Sequence, residues 1–430
     1  MNKEEVSVFW FRRDLRLEDN CALFHALNSK YRVLPVFIFD ENMLNELPKK
    51  DARVTFIYDT LKNINSELAN FNSSLYIKKG NPSDIWDTIF EEFKVKNVFF
   101  NKDYEPYAKE RDDKVKLLCK QKNCNVFTFK DQVIFEESEI VKADGLPYNV
   151  YTPYKNKWLE KYRLNALNEY KSENFKDNFF NSSFVFPSSN TIGFVKSEIK
   201  VWPFNFKCIN KYQDIRDVPA FETSNASVYL RFGTISVRKL VNYASKINEI
   251  YLSELIWREF FMQILFHYPK VVNENFKSKY NFIPWRNNET EFKLWCEGKT
   301  GYPIVDAGMR QLNKTGYMHN RVRMITASFL CKHLLIDWRW GEAYFAEKLF
   351  DFELSSNNGN WQWVAGTGCD SAPYFRVFNP LIQQQKFDPE LKYIKKWIPN
   401  FNNAAIEEIV EHKFARERYL NAMKSSFFSQ

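Results

Sequence analysis

The sequence predicts an α/β domain with a parallel sheet at the N-terminus, a long linker, and an all-helical domain at the C-terminus. Two observations predict this order. Short β-branched or aromatic runs alternate with charged, amphipathic stretches over residues 1–130, and strand signals vanish after about residue 204. The 430 residues leave room for two or three domains of roughly 100–200 residues each.

Five runs in residues 1–130 are typical of strands, and the stretches between them are typical of helices. The predicted helices lie near residues 51–70, 83–94 and 107–121. The predicted strands are Val6–Phe11, Val33–Phe39, Leu75–Ile77, Asn97–Phe100 and Asn125–Phe129. Because strands that alternate with helices form parallel sheets covered on both faces, we expect one such sheet here.

The rest of the chain is predicted to be a linker over residues 131–203 and a helical domain over residues 204–430. The linker collects Pro, Ser and Asn, which indicates a connector with a few helical turns. In the helical domain, apolar residues recur at helical spacing. These segments are Leu252–Phe266, Ile304–Leu312, Asn320–Leu335 and Gly341–Phe350.

The composition is that of a globular protein, with 45% hydrophobic and 27% charged residues. Seven Cys without a CxxC pair and only five His predict no metal site, no disulfide framework and a reducing compartment. The charged N-terminus is unlike a signal peptide, and no apolar run reaches the ~18 residues of a spanning helix. We therefore expect a cytoplasmic protein with no membrane partner.

Charge and aromatic content favour certain partners without choosing one. The net charge of +8 favours polyanions. The aromatic fraction of 17%, with 41 Phe, 22 Tyr and 12 Trp, fits a core packed with Phe. Some of the Trp residues could instead stack on bases or carry electrons. Composition alone leaves both interpretations open.

Two polar motifs have both a structural and a ligand-binding interpretation. Arg12, Arg13 and Arg16 directly follow the first predicted strand, where α/β proteins bind ligands, but an Arg–Asp network explains them equally well. The chain has no GxGxxG or Walker loop, which argues against an ordinary dinucleotide or nucleoside triphosphate site. The hydroxyl-rich segment 223–227 suits a phosphate at a helix N-terminus, although capping boxes look similar and are commoner.

Two further motifs lie in the predicted helical domain. Glu254, Trp257 and Arg258 share one helix face and resemble a base-recognition surface. From the residues alone, a Glu254–Arg258 pair beside a core Trp is the favoured interpretation. Residues 351–363 combine acids, amides and two Trp, which is too polar for a packed helix interior and indicates a lined cavity more than an exposed loop.

Six sequence blocks together resemble the photolyase/cryptochrome family, in the same order from the first strand to about Trp397. They are FRRDLRLEDN (11–20), PYNVYTPYKNKW (147–158), TSNASVYLRFG (223–233), ELIWREFF (254–261), TGYPIVDAGMRQLNKTGYMHNRVRMITASFL (300–330) and NNGNWQWVAGTGCDSAPYFRVFNP (357–380). The resemblance implies a Rossmann-like α/β antenna domain and a helical domain that binds FAD.

Within the family, the residue types at Asn320 and Met324 are similar to those of the class I cyclobutane pyrimidine dimer photolyases. The (6-4) branch typically has His at both places, plant cryptochromes have Asp and Val, and the DASH branch has Gln in place of Met. The short tail of 33 residues after Trp397 also differs from many cryptochromes. The resemblance therefore implies a monomer that repairs dimer-containing DNA by light-driven electron transfer from reduced FAD. The alternatives are a cryptochrome-like blue-light photoreceptor and a flavoprotein that binds DNA without repairing it.

The resemblance also implies roles for individual residues. Arg323 would favour an anionic reduced flavin, and the amide of Asn357 would face flavin N5. The implied catalytic residues are Glu254, Asn357 and the electron-carrying Trp285, Trp338 and Trp361. The implied FAD-binding residues are Tyr212, Thr223, Ser224, Asn225, Ala226, Ser227, Arg258, Arg323, Asp351, Phe352, Glu353 and Asn357. The implied DNA-binding residues are Arg216, Glu254, Trp257, Asn320, Arg321, Met324 and Trp363.

Several positions depart from the family pattern. Asn225 and Ala226 stand where Arg-Leu is common, so the phosphate site lacks a cation. Glu353 replaces the second Asp of a D-x-D pattern, and Leu391 replaces a usual Gly. Ala108 occupies the place of an acid that contacts a folate antenna, for which Glu105 or Glu110 could substitute. The antenna thus stays open between methenyltetrahydrofolate and a deazaflavin or flavin.

Overall fold

A computed structural model describes residues 3–165, 167–401 and 407–425. Contacts divide the chain into two units, each made of several stretches. The first comprises Met1–Glu139, Trp158–Pro203 and Ala226–Lys246, and the second comprises Ile140–Lys157, Phe204–Asn225 and Ile247–Gln430. The domain boundaries expected from the sequence stay a prediction. Parts of those ranges (1–2, 166, 402–406 and 426–430) lie outside the described residues.

The first unit contains a parallel sheet of five strands among the residues described. The strands are β1 (Glu5–Phe11), β2 (Val33–Asp40), β3 (Tyr76–Gly80), β4 (Lys94–Asn101) and β5 (Asn125–Phe129). Their order is β3-β2-β1-β4-β5, and Val8 pairs with both Leu34 and Val98. β1 and β2 are buried almost throughout. This agrees with their nearly continuous apolar runs, which are typical of strands covered on both faces. The predicted parallel sheet is confirmed.

Helices follow the strands, several of them started by a polar cap. Asn20, Asp51 and Asn81 each accept a hydrogen bond from a backbone N–H two or three residues later. The helices up to residue 247 are α1 (Cys21–Leu27), α2 (Glu41–Leu44), α3 (Ala52–Ala69), α4 (Pro82–Glu92), α5 (Pro106–Gln121), α6 (Tyr151–Leu164), α7 (Ser189–Ile192), α8 (Lys207–Asn210), α9 (Tyr212–Ile215), α10 (Ala226–Arg231) and α11 (Val237–Ile247).

The second unit is helical, which confirms the fold class of the C-terminal part. The remaining helices are α12 (Glu249–His267), α13 (Glu289–Glu297), α14 (Pro303–Thr315), α15 (Asn320–Ser328), α16 (Trp338–Lys348), α17 (Leu354–Ala365), α18 (Pro380–Phe387), α19 (Lys392–Trp397) and α20 (His412–Ser425). The segment predicted as one helix, Asn320–Leu335, is α15 followed by a π-helical turn over Phe329–His333. The helix expected over Gly341–Phe350 is α16, which starts three residues earlier because Asp337 caps it.

An aromatic-rich cluster of buried side chains forms a core between helices of the second unit. It contains Trp295, Tyr302, Phe329, Trp338 and Trp361, each at most 2% exposed. No helix in the described part of the chain has the length and apolarity needed to cross a membrane. All seven Cys are free thiols.

The three Arg after β1 form ion pairs within the first unit. Arg12 pairs with Asp112, Arg13 with Glu105 at 2.8 Å, and Arg16 with Asp131 at 2.6 Å. Their side chains are at most 11% exposed. Of the two interpretations of this motif, the structure favours the Arg–Asp network.

Candidate active site

A cleft in the second unit brings together many of the residues expected to act. Its volume is about 570 Å³ when the space open to solvent is included. The segment Asp351–Glu353 and parts of α15, α16 and α17 form its walls. The sequence-predicted residues that line it are Asn320, Arg323, Met324, Asp351, Phe352, Glu353, Asn357 and Trp361.

An ion pair between Arg323 and Asp351 lies in the wall of this cleft. Nη2 of Arg323 donates to both carboxylate oxygens, at 3.1 and 2.9 Å, and its Nε donates to the carbonyl oxygen of Met318 at 2.8 Å. Burial opposes the charged guanidinium, but the attraction and hydrogen bonds of Asp351 outweigh it and raise the pKa of Arg323. The cleft therefore carries a permanent cation whose orientation is fixed.

The amide of Asn357 is held by a carboxyl group that the sequence did not single out. Nδ2 of Asn357 donates to Oε1 of Glu342 at 2.8 Å and to the Glu342 carbonyl at 3.1 Å. Burial raises the pKa of Glu342, although the Asn357 amide partly offsets this. Because its nitrogen is engaged, Asn357 has Oδ1 left to accept a hydrogen bond from a ligand.

Glu353 begins α17 and orders the polar segment beside the cleft. Its Oε2 accepts hydrogen bonds from the Ser356 N–H at 3.1 Å and from the hydroxyls of Ser355 and Ser356 at 2.7 Å each. The neighbouring Phe352 packs against the aromatic core. Residues 351–363 were expected to line a cavity, and one side of this segment does so. Its buried amides, Asn358 and Gln362, both donate to the Val271 carbonyl.

The hydroxyl-rich segment contacts two tyrosines in the second unit. The hydroxyl oxygens of Thr223 and Tyr317 are 3.1 Å apart, and those of Ser224 and Tyr251 are 2.9 Å apart. The Tyr317 ring also lies 5.5 Å from the guanidinium of Arg323. Thr223 is thus linked to the cleft through Tyr317.

Other predicted FAD-binding residues lie near this segment in the chain. Tyr212 packs edge-on against Tyr251 at 5.0 Å, and Asn225 adopts a left-handed backbone with φ of 56°. Ala226 and Ser227 belong to the first unit, where they form the first turn of α10. Ala226 is buried and Ser227 is exposed.

The α12 motif engages residues from other parts of the second unit. Glu254 pairs with Arg216, with 3.0 Å between Oε1 and Nη2. Burial raises the pKa of Glu254 even though Arg216 pulls it down. The Glu254–Arg258 pair favoured from the residues alone is therefore replaced by a pair with a distant Arg. Arg258 is half-buried on the same helix.

The side chains of three further predicted DNA-binding residues contact other protein groups. Arg321 donates to Oδ1 of Asp217 from Nε at 3.2 Å and from Nη2 at 2.6 Å. Trp257 stacks on Tyr151. Trp363 is half-buried against the aromatic core and does not line the cleft.

The three Trp expected to carry electrons share one core. Trp361 and Trp338 are buried in the aromatic cluster, and the partly buried Trp285 packs against it. Nε1 of Trp338 donates to Oδ1 of Asn275 at 2.8 Å. Gly341 leaves room for Trp361, because a Cβ at this position would lie 2.1 Å from its ring.

Two family models match the chain, one over its N-terminal part and one over the part that contains most of these residues. The model described as DNA photolyase matches residues 7–172, and the one described as FAD binding domain of DNA photolyase matches residues 251–426. The chain belongs to the DNA photolyase family. Its helical part is the family's FAD-binding domain, and FAD is therefore the cofactor of this photolyase.

Individual relatives are similar to this chain over nearly its whole length. The deoxyribodipyrimidine photo-lyase of Escherichia coli K12 is 35% identical, covering 97% of this chain and 98% of the relative. That of Vibrio cholerae is 34% identical, with coverages of 93% and 91%. A class III photolyase from Agrobacterium tumefaciens superimposes with a TM-score of 0.85 at 30% identity, covering 100% of this chain and 99% of its own.

A second solved structure bears on the cofactors. An archaeal photolyase from Sulfolobus tokodaii contains two FAD molecules and is 34% identical, with a TM-score of 0.85 and coverages of 98% and 100%. A Synechocystis cryptochrome, at 22% identity and a TM-score of 0.84, shows the same fold.

The cleft of this photolyase fits the ring system of a flavin. The Arg323 cation suits an anionic ring, and Oδ1 of Asn357 can accept a hydrogen bond from a ring N–H. The hydroxyls of Thr223 and Ser224 can donate hydrogen bonds to a phosphate when they no longer bond to Tyr317 and Tyr251.

Sequence reasoning missed the residues that hold the predicted ones in place. Glu342, Tyr317 and Asp217 each contact a predicted residue that lies 15 or more positions away in the chain. Nothing in the local sequence marks Glu342 or Asp217, whereas Tyr317 lies inside the family-like block 300–330. Tyr151 likewise lies inside a family-like block, 147–158, and such a block is a usable signal.

Proposed function

We propose that this photolyase repairs cyclobutane pyrimidine dimers in DNA. When bound, reduced FAD would absorb near-UV or blue light and supply one electron to a flipped-out dimer. The observation that carries the proposal is the composition of one cleft: Asn320 and Met324, the residues typical of dimer repair, line it together with Arg323 and Asn357.

The flavin side of the cleft would be held by fixed polar groups. Arg323, paired with Asp351, would place positive charge beside the ring and favour its anionic reduced form. Asn357, held by Glu342, would orient its carbonyl oxygen toward a ring N–H. Phe352 and Glu353 would complete the wall, and Tyr212, Thr223, Ser224, Asn225, Ala226, Ser227 and Arg258 would bind the remainder of FAD.

The lesion side would recognise an extrahelical dimer. A dimer inside a duplex cannot reach the flavin, and its weakened pairing and stacking reduce the free energy needed to flip it. Trp257 and Trp363 would offer stacking faces worth about 1–3 kcal/mol per base. Arg216 and Arg321 would contact phosphates in exchange for their carboxylate partners, Glu254 and Asp217.

Glu254 would stabilise the charge that develops on the dimer. Because burial raises its pKa, loss of the Arg216 partner to a phosphate would favour the protonated form further. A protonated Glu254 can donate a hydrogen bond to a pyrimidine carbonyl oxygen. Trp285, Trp338 and Trp361 would carry electrons inward when the flavin is oxidised.

An antenna chromophore is also proposed, either methenyltetrahydrofolate or a deazaflavin or flavin. The acids that could replace the folate-contacting residue are both paired: Glu105 with Arg13 at 2.8 Å, and Glu110 with Lys114 at 2.8 Å. A folate would have to displace one of these pairs, whereas a deazaflavin or flavin antenna has no such requirement. The monomeric state, the cytoplasmic location and the domain boundaries at residues 130 and 203 are likewise proposed.

The test is repair of a dimer-containing oligothymidine by the reduced protein, under blue light and in the dark. We expect light-dependent recovery of the ultraviolet absorbance of thymine, and no recovery in the dark. A matched oligonucleotide with a (6-4) photoproduct should not be repaired. Tight FAD binding without any repair would contradict the proposal and indicate a photoreceptor.

A further inference from the structure

Tyr151 contacts the proposed lesion-binding surface, although the proposed function gives it no role. It is the first residue of α6 and lies within the family-like block 147–158. Its ring stacks on Trp257 with 3.6 Å between ring centroids and 10° between the planes. Two other rings contact Trp257, Phe260 and Phe261, but at 5.6 and 5.5 Å and at angles of 81° and 31°. Tyr151 is therefore the residue that covers a whole indole face.

Tyr151 is anchored at both ends. Its hydroxyl donates to the Ser253 carbonyl at 2.7 Å, with the Ser253 hydroxyl at 2.6 Å, and its N–H donates to Oδ2 of Asp370 at 3.0 Å. Ser253 lies one helical turn before Trp257 on α12, so the phenol is tied to the helix that carries the indole. Burial raises the pKa of the Tyr151 phenol, which keeps it a neutral hydrogen-bond donor.

The stack covers one face of the Trp257 indole and fixes its ring plane. Trp257 is only half-buried, and an exposed aromatic side chain would otherwise sample several rotamers. Fixing a binding group in its bound orientation before the ligand arrives increases affinity, because less conformational entropy is lost on binding.

We propose that Tyr151 is a positioning residue for lesion recognition, which holds the Trp257 indole in the orientation that stacks on a flipped pyrimidine. This role rests on the proposed function, in which Trp257 contacts the lesion. Tyr151 would act through Trp257 and would touch neither the DNA nor the flavin. It should therefore affect the affinity for damaged DNA and leave FAD binding unchanged.

The experiment measures dissociation constants in the dark for a dimer-containing oligonucleotide and for its undamaged counterpart. For Tyr151→Leu we expect affinity for damaged DNA to fall about 2- to 12-fold, the range that an aromatic pair contributes. Affinity for undamaged DNA should change less than about 2-fold. Tyr151→Phe keeps the stack and should stay close to wild type. If Tyr151→Leu does not fold, Tyr151→Met takes its place with the same expectations.

A double-mutant cycle with Trp257→Ala separates positioning from general destabilisation. If Tyr151 acts through the indole, Tyr151→Leu should have no further effect in the Trp257→Ala background. Tyr162→Leu is the matched control, because Tyr162 lies on the same helix and stacks on Trp158 at 5.1 Å. This control should retain wild-type discrimination between the two DNAs.

The outcomes distinguish the two proposals. Wild-type protein that binds damaged and undamaged DNA equally overturns the proposed function and this role with it. Wild-type discrimination that persists in Tyr151→Leu overturns the role of Tyr151 alone. So does an equal effect of Tyr151→Leu with and without Trp257.

Discussion

Asp351→Asn removes the charge from the ion pair in the cleft while keeping the shape of the side chain. The Asp351 carboxylate is 4% exposed and its Arg323 partner is 26% exposed. Leaving a buried charge uncompensated costs about 3–5 kcal/mol. Water reaches part of the Arg323 side chain and the Asn oxygen still accepts a hydrogen bond, so we expect the free energy of unfolding to fall by about 2–3 kcal/mol.

The assay is urea unfolding of wild-type and variant protein, followed by circular dichroism. Asp337→Asn is the matched control: its pair with Arg339 has the same N···O distance of 2.9 Å, but the side chains are 15% and 33% exposed. Asn also preserves the cap of α16, so the control should lose less than about 1 kcal/mol. An Asp351→Asn variant that loses no more than this control would refute the reasoning.

Three further substitutions test other parts of the molecule. Trp285→Phe should slow photoreduction of oxidised flavin and spare repair by prereduced protein; loss of that repair in a folded, FAD-loaded variant would contradict its role. Gly341→Ala would place a methyl group 2.1 Å from the Trp361 ring, so urea unfolding should show a loss of about 1–3 kcal/mol and photoreduction should change; an unchanged protein would show that the core yields freely. Burial lowers the pKa of His333 from 6.5 to about 3, so the neutral folded form loses stability as the pH falls below 6.5. His333→Asn should flatten this acid slope; a slope equal to that of the wild type would contradict the assignment.

The sheet was predictable because each strand is a local signal. Apolar runs such as Val33–Phe39 reveal buried parallel strands without knowledge of their neighbours. The sequence did not predict α1, whose seven residues follow directly on the Arg- and Asp-rich motif. The start of α16 was also missed, because its position depends on the capping hydrogen bond of Asp337 and not on apolar periodicity.

The cleft was predictable to the extent that its residues lie in contiguous blocks. Asp351, Phe352, Glu353, Asn357 and Trp361 come from one stretch of chain, and they line the cleft together. The residues that hydrogen-bond to these side chains and orient them come from other parts of the chain. The pairing of a residue with a carboxyl or hydroxyl group tens of positions away depends on how helices pack, which local periodicity does not encode.

The DNA-facing side shows most clearly what the sequence omits. Arg216 and Arg321 were expected to bind phosphates, yet each already pairs with a carboxylate, Glu254 or Asp217. Both pairs are partly exposed, so each stabilises the protein only weakly and can be exchanged for a phosphate. Exchange at Arg321 would release an exposed carboxylate to water. Exchange at Arg216 would leave the partly buried Glu254 without its countercharge and would favour its protonated form, which the proposed reaction needs. Binding of the DNA backbone and preparation of the acid would thus be coupled through one ion pair.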